Sequence, residues 1–232
     1  MTEANHLLPT PAVGQKFHAD GTVRAFPGNT IICFMESDSH AYRQVDWLQT
    51  EMQKLPFAHK FSFLPPSSFH MTVMELLCDQ VRVGERWSAG LSLAAPLAEM
   101  DTYFMARVPQ VPPPTKLRMR FTGIYQQSLA LYLKPADEET AVSLQSYRAA
   151  VSEQTAVRFP DHDSYAYHIS IAYRLYHLTD AEESALEERL QQINQQLHEN
   201  FGFFEPSPPQ LTFFDDMFAF YPVSQRHLLT TR

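Results

Sequence analysis

Glycine is scarce, cysteine nearly absent, and long apolar runs are missing. The 232 residues include seven glycines and two cysteines. So few glycines leave little room for a glycine-rich phosphate loop, and none is found. Cys33 in TIICFM and Cys78 in ELLCDQ each follow an apolar run. Both read as buried free thiols rather than as the disulfide of a small secreted scaffold. No segment is long enough to span a membrane. The opening MTEANHLLPTPAVGQKF has neither the basic start nor the apolar stretch of a signal peptide. The expected location is the cytoplasm. Basic residues are also short, 18 against 26 acidic, for a net charge of −8. That balance excludes a dedicated binder of long nucleic acid. It leaves room for a small phosphate ligand in a locally positive pocket.

What is present is a weak internal repeat at an offset of 98 residues. NTIICFM (29–35) falls opposite QSLALYL (127–133), and both read as strands. HAYRQVDWLQTEMQKL (40–55) falls opposite EETAVSLQSYRAAVSE (138–153), each with apolar residues at helical spacing. Those residues are Val45, Leu48 and Met52 in the first segment, and Val142, Leu144, Tyr147, Ala149 and Val151 in the second. GERWSAGLSLAAPLAEM (84–100) and EESALEERLQQINQQLHEN (182–200) read as helices. TYFMARV (102–108) and NFGFFE (200–205) read as strands. A proline cluster follows each, and LRMRFTGIY (117–125) and LTFFDDMFAFY (211–221) read as closing strands.

The expected fold is therefore α+β: a duplicated, bilobal α/β arrangement with two antiparallel-sheet lobes and outer helices around a central cleft. Lobe one spans about 29–115 and lobe two about 116–232, joined by the stiff segment PQVPPPT. Residues 1–28 stand outside the repeat and read as a hairpin or wrapping arm.

Two strand-like segments also match at this offset, FHMTVMELL (69–77) and YHISIAYRL (167–175). Side chains alternate across a strand, so His70 shares a face with Thr72, and His168 with Ser170. Met71, Val73, Ile169 and Ile171 point the other way, into a core. If the lobes face each other, two imidazoles and two hydroxyls meet in one cleft. Two histidines can act as base and acid at neutral pH. Two hydroxyls can hold the non-bridging oxygens of a phosphodiester. The pattern His-x-Ser/Thr occurs twice more. Thr179 with Glu182 reads as a capping box after His177, and His162 sits in a polar stretch after Pro160.

The pair FHMTV and YHISI resembles the two motifs of the two-histidine (2H) phosphoesterases. The resemblance covers both motifs, their separation and the bilobal repeat. It implies metal-independent hydrolysis of a cyclic phosphodiester, or of a 2′–5′ or 3′–5′ linkage in an RNA-derived molecule. By the same resemblance His70 and His168 are the acid and base, and Thr72 and Ser170 the phosphate contacts. Ser170 stands where threonine is commoner, and its hydroxyl preserves the role. The likeness is to a mainly microbial branch, from which no substrate carries over.

Further residues suit substrate contacts. Arg118 and Arg120 share a face of LRMRF and suit a phosphate. Arg174 lies along the His168 face. Phe34 and Tyr132 occupy matched positions and suit stacking on a base. Arg24 reaches the cleft if the arm folds over it. Tyr167 and Tyr173 lie opposite the His168 face and read as packing. The segment DHDSYAYH offers Asp161, His162, Asp163 and His168 as loose metal ligands, but the spacing matches no familiar site. No metal or cofactor is expected.

The expected partner is a small nucleotide or an RNA-end phosphodiester, with no long nucleic acid and no membrane. A monomer is consistent with the sequence. The alternative is a binding module that holds a nucleotide or RNA end without cleaving it. Joining of RNA ends on the same fold would need a more basic surface.

Overall fold

The computed structural model describes residues 7–231. Its elements in chain order begin with a kinked turn of helix, α1 (Ala12–Gln15), followed by β1 (Gly28–Phe34), α2 (His40–Gln53), β2 (Phe61–Phe63) and β3 (His70–Cys78). The middle of the chain holds α3 (Leu97–Arg107), β4 (Met119–Tyr125), β5 (Ala130–Pro135) and α4 (Glu138–Thr155). The last part holds β6 (His168–Ser170), β7 (Ala172–Arg174), α5 (Asp180–Asn200), β8 (Phe203–Phe204), β9 (Gln210–Phe214) and β10 (Tyr221–Pro222). Among the described residues no helix is long and apolar enough to cross a membrane.

Two antiparallel four-stranded sheets form the lobes, in the orders β10-β9-β1-β3 and β6-β5-β4-β8. A short ribbon of β2 and β7 bridges the halves. β1 and β5 are central and carry the longest apolar runs, as strands covered on both faces must. The last strands, however, cross from the second half to the first. β4 pairs with β5, and β9 with β1. Thus β9 and β10, expected in the second lobe, complete the first sheet. One hydrophobic core runs through both lobes, from Ile31 and Val45 to Leu144 and Ile193.

The helices start where capping chemistry directs. The Ser39 hydroxyl accepts from the Tyr42 amide at 3.1 Å, and Asp137 accepts from the Thr140 amide at 2.8 Å. Thr179 and Glu182 form the expected capping box at the start of α5. Val45, Leu48 and Met52 are buried, as their spacing predicts. In α4 the stripe is Leu144, Tyr147 and Val151, whereas Val142 and Ala149 are exposed.

Two elements differ from expectation. TYFMARV is not a strand but the body of α3, which begins after Pro96. Only the last residues of the segment 84–100 join it. An apolar run of that length fits either period, and Met100, Asp101 and Phe104 bury at helical spacing. LTFFDDMFAFY is not one strand either. β9 ends at Phe214, and the adjacent aspartates turn the chain: Asp216 accepts from the Phe218 amide at 2.7 Å.

Residues 7–27 wrap across both halves, while residues 1–6 of the expected arm lie outside the described residues. The Thr10 amide donates to the Leu175 carbonyl at 2.8 Å, and the Phe26 amide to the Asp215 carbonyl at 2.7 Å. Phe17, fully buried, packs on Tyr173 and Phe218. With Phe26, Leu64, Leu175, Phe214 and Met217 it forms a second apolar cluster. The arm and the loop after β9 therefore roof one end of the space between the lobes.

Candidate active site

The two histidine strands pack side by side. His70, Thr72, His168 and Ser170 line one cleft of 320 Å³ between them. That volume is at the lower end of small-ligand pockets. Each motif has the predicted alternation: both polar side chains are half-buried toward the cleft, with Met71 and Ile169 fully buried behind them.

The imidazoles are held alike. His70 Nδ1 lies 2.7 Å from the Ser68 carbonyl, and His168 Nδ1 lies 2.9 Å from the Ala166 carbonyl. A carbonyl accepts only, so Nδ1 carries the proton in each ring. Nε2 is the nitrogen left for chemistry, a lone pair when neutral and a donor when charged. The surroundings differ. Phe220 packs on His70 with ring centroids 4.2 Å apart, and burial lowers the His70 pKa to about 4 despite the Ser68 carbonyl. The hydrogen bond of His168 lies at an exposed position.

Phe34 sits opposite His70 across β1 and β3, and Tyr132 sits opposite His168 across β5 and β6. The Tyr132 ring is 6.0 Å from that of His168. Both aromatics flank the imidazoles, outside the cleft lining.

The other candidates are not brought to the cleft. Arg118 is exposed, 3.2 Å from Glu205, and stacks over Phe203 at 4.0 Å. Arg120 is exposed two strands from His168, opposite Lys134. Arg174 is buried against Phe61 at 5.6 Å and is committed to Glu183 and to the Gln126 carbonyl. Arg24 contributes its amide to the Lys16 carbonyl at 2.8 Å, and its side chain is not in the cleft lining. Among the described residues no group of three or more His, Cys, Asp or Glu side chains is placed to hold a metal ion.

Several cleft residues escaped the sequence reading, Glu75, Tyr173 and Lys16 among them. Strict alternation would turn Glu75 into the core beside Met71 and Val73. The β1–β3 register shifts instead, so that Thr72 faces Ile32 while Glu75 faces Thr30. A glutamate inside the apolar run MTVMELLC was the available signal. Tyr173, expected to pack away from the site, lines it. YHISIAYRL is not one strand: at Ile171 the chain leaves β5 and pairs next with β2, which breaks the alternation. Lys16 comes from the arm, where a single lysine carries no periodic signal. Cys78 also lines the cleft, whereas Cys33 is buried and its pKa is raised by burial.

A family model described as 2H-phosphodiest, Domain of unknown function (DUF1868), matches residues 16–130. The chain thereby falls in the two-histidine phosphoesterase superfamily. The matched region contains His70 and Thr72 and ends before His168. A conserved protein of unknown function, ATU0111, from Agrobacterium tumefaciens str. C58 has a similar crystal structure. Its TM-score is 0.87 at 26% identity, covering 96% of this chain and 95% of that one. TT0787 of Thermus thermophilus is a more distant match, with a TM-score of 0.44 at 16% identity, covering 79% of this chain and 86% of that one. No curated protein matches. The family supports phosphodiesterase-type chemistry in general.

Proposed function

We propose that the protein is a metal-independent phosphodiesterase that hydrolyses a small cyclic phosphodiester, such as a 2′,3′-cyclic nucleotide or RNA-end phosphate, with His70 and His168 as the proton-transfer pair. The observation that carries this reading is the matched pair of Nδ1-to-carbonyl hydrogen bonds, which leaves two Nε2 atoms beside Thr72 and Ser170 in one cleft.

His70 is the base. Burial keeps it neutral at neutral pH, with its Nε2 lone pair free. It takes a proton from water as the water oxygen attacks phosphorus. His168 in its charged form gives a proton to the departing ribose oxygen, and the ring opens to a monoester. The Thr72 and Ser170 hydroxyls donate to the non-bridging oxygens, where negative charge builds. The small, roofed cleft supports a small substrate over a long chain, in keeping with the net charge of −8.

The test is hydrolysis of the four 2′,3′-cyclic nucleotides and a 2′–5′ dinucleotide in excess chelator. Wild type runs beside His70→Ala and His168→Ala. Turnover lost in both variants supports the mechanism. Activity that vanishes with chelator and returns with a divalent ion sinks the metal-free reading. Tight binding without turnover moves the assignment to a binding module.

A further inference from the structure

The four motif residues leave one charge in the cleft without a task. Lys16, carried by the arm, lines the cleft with Glu75, Arg86 and the motif residues. Its ammonium lies 4.7 Å from the centroid of the Tyr173 ring and 5.3 Å from that of Phe26. Its hydrogen bond is to the Tyr173 hydroxyl, at 3.4 Å. It makes no ion pair among the described residues.

An ammonium has three donors, and one long contact uses one of them weakly. Two aromatic faces offset part of its lost hydration, but they supply no counter-charge. A half-buried cation without an anion is costly. Burial pulls the Lys16 pKa down, yet Tyr173, Cys78 and Glu75 outweigh it and raise the pKa overall, so the group stays charged. Glu75 is not a free counter-ion, because it lies 3.4 Å from Arg86. The charged side chains of the lining are thus Lys16, Arg86 and Glu75. Lys16 is the one left over.

Its position says what it awaits. On the cleft face of β3 the order is His70, Thr72, Glu75, Cys78. Lys16 feels the last two electrostatically. Counted along β1, where Ile32, Thr30 and Gly28 face Thr72, Glu75 and Cys78, that end of the row lies roughly 7–14 Å from Thr72. A phosphate held by Thr72 and Ser170 does not fill that end. A nucleoside with a phosphate at each end of its ribose does.

Resting on the phosphodiesterase reading, we propose that Lys16 is a substrate-binding residue that selects phosphodiesters bearing a second phosphate remote from the reacting phosphorus. The arm then sets substrate class as well as roofing the cleft.

Calorimetric titration with two product-like probes tests this: adenosine 2′-monophosphate and adenosine 2′,5′-bisphosphate. Wild type is expected to bind the bisphosphate about 10-fold more tightly, as one charge-assisted contact allows. Lys16→Met should collapse that ratio to near one, and Lys16→Arg should keep most of it. Melting curves establish that both variants fold. A ratio near one in wild type, an unchanged ratio in Lys16→Met, or no binding of either probe overturns the proposal. The two readings fail separately. A preserved ratio without any hydrolysis removes the activity and leaves the anion site. Hydrolysis with no preference removes the anion site and leaves the activity.

Discussion

The guanidinium of Arg148, on a helix of the second half, donates to the main-chain carbonyl of Val73, one residue past Thr72 on the first histidine strand. Its other arm donates to the His162 carbonyl at 2.7 Å, and Tyr165 lies under it at 4.4 Å. A counterpart exists in the first half. Gln49 on α2 donates to the Ile171 carbonyl, one residue past Ser170, and to the Leu64 carbonyl, both at 2.8 Å. Each motif is thus gripped three residues past its histidine, by a buried side chain from the other half.

That reciprocal grip yields the first prediction. Arg148→Met leaves two buried carbonyls unpaired and should cost about 2–4 kcal/mol. It should also lower kcat about 10-fold, because Val73 fixes the backbone beside Thr72. Gln49→Leu should act alike through Ser170, with a smaller stability loss. Thermal melts and steady-state kinetics read both. A large loss of stability with kcat intact would make the grip purely structural.

Substitution of the imidazoles separates chemistry from binding. His70→Gln and His168→Gln should each lower kcat by about 10²–10⁴-fold, the usual worth of a positioned acid or base. KM should change by less than about 5-fold, since Thr72 and Ser170 still hold the phosphate. The double variant should be little worse than the weaker single one, as groups acting in one step are not additive. Multiplicative losses would mean that the two rings contribute independently to the transition state rather than as a unit.

A stability prediction falls on Gly28, where β1 runs between β3 and β9. A Cβ there would meet the Phe214 ring at 2.6 Å and the Leu77 carbonyl at 2.7 Å. Backbone on one side and a buried ring on the other leave it no room. Gly28→Ala should destabilise by about 1–3 kcal/mol, the range for overpacking a core. A melt unchanged from wild type would refute the close approach.

The two-lobed fold and the four motif residues could be read from the sequence because period-two alternation is a local signal. His70, Thr72, His168 and Ser170 needed only their neighbours to be placed. Glu75 and Tyr173 could not be placed that way, since a register shift in β3 and a change of partner at Ile171 are set by other strands. The crossing of β9 to the first sheet is likewise a matter of pairing, and the two halves look alike whichever sheet it joins. Lys16 and Phe220 reach the cleft through an irregular arm and loop that leave no periodic trace. Arg118, Arg120 and Arg174 had the right chemistry for phosphate, but glutamates or distance hold them elsewhere.

The loop that carries Phe220 should also govern the pH dependence. Phe220 lies against His70, and burial is the main cause of its low pKa, about 4, with the charge on His168 a smaller one. A base works unprotonated. The acidic limb of kcat/KM should therefore fall through a pH near 4, well below the ordinary imidazole value of about 6.5. Phe220→Ala admits water to the ring and makes its charged form cheaper. The pKa should rise by about one unit, and the limb should move to higher pH. Activity at pH 5 should then drop in the variant while activity at pH 8 is held, because His70 is neutral there in both proteins. A limb that stays in place would mean that His70 is not the base. A limb that moves down would mean that Phe220 does not shield the ring.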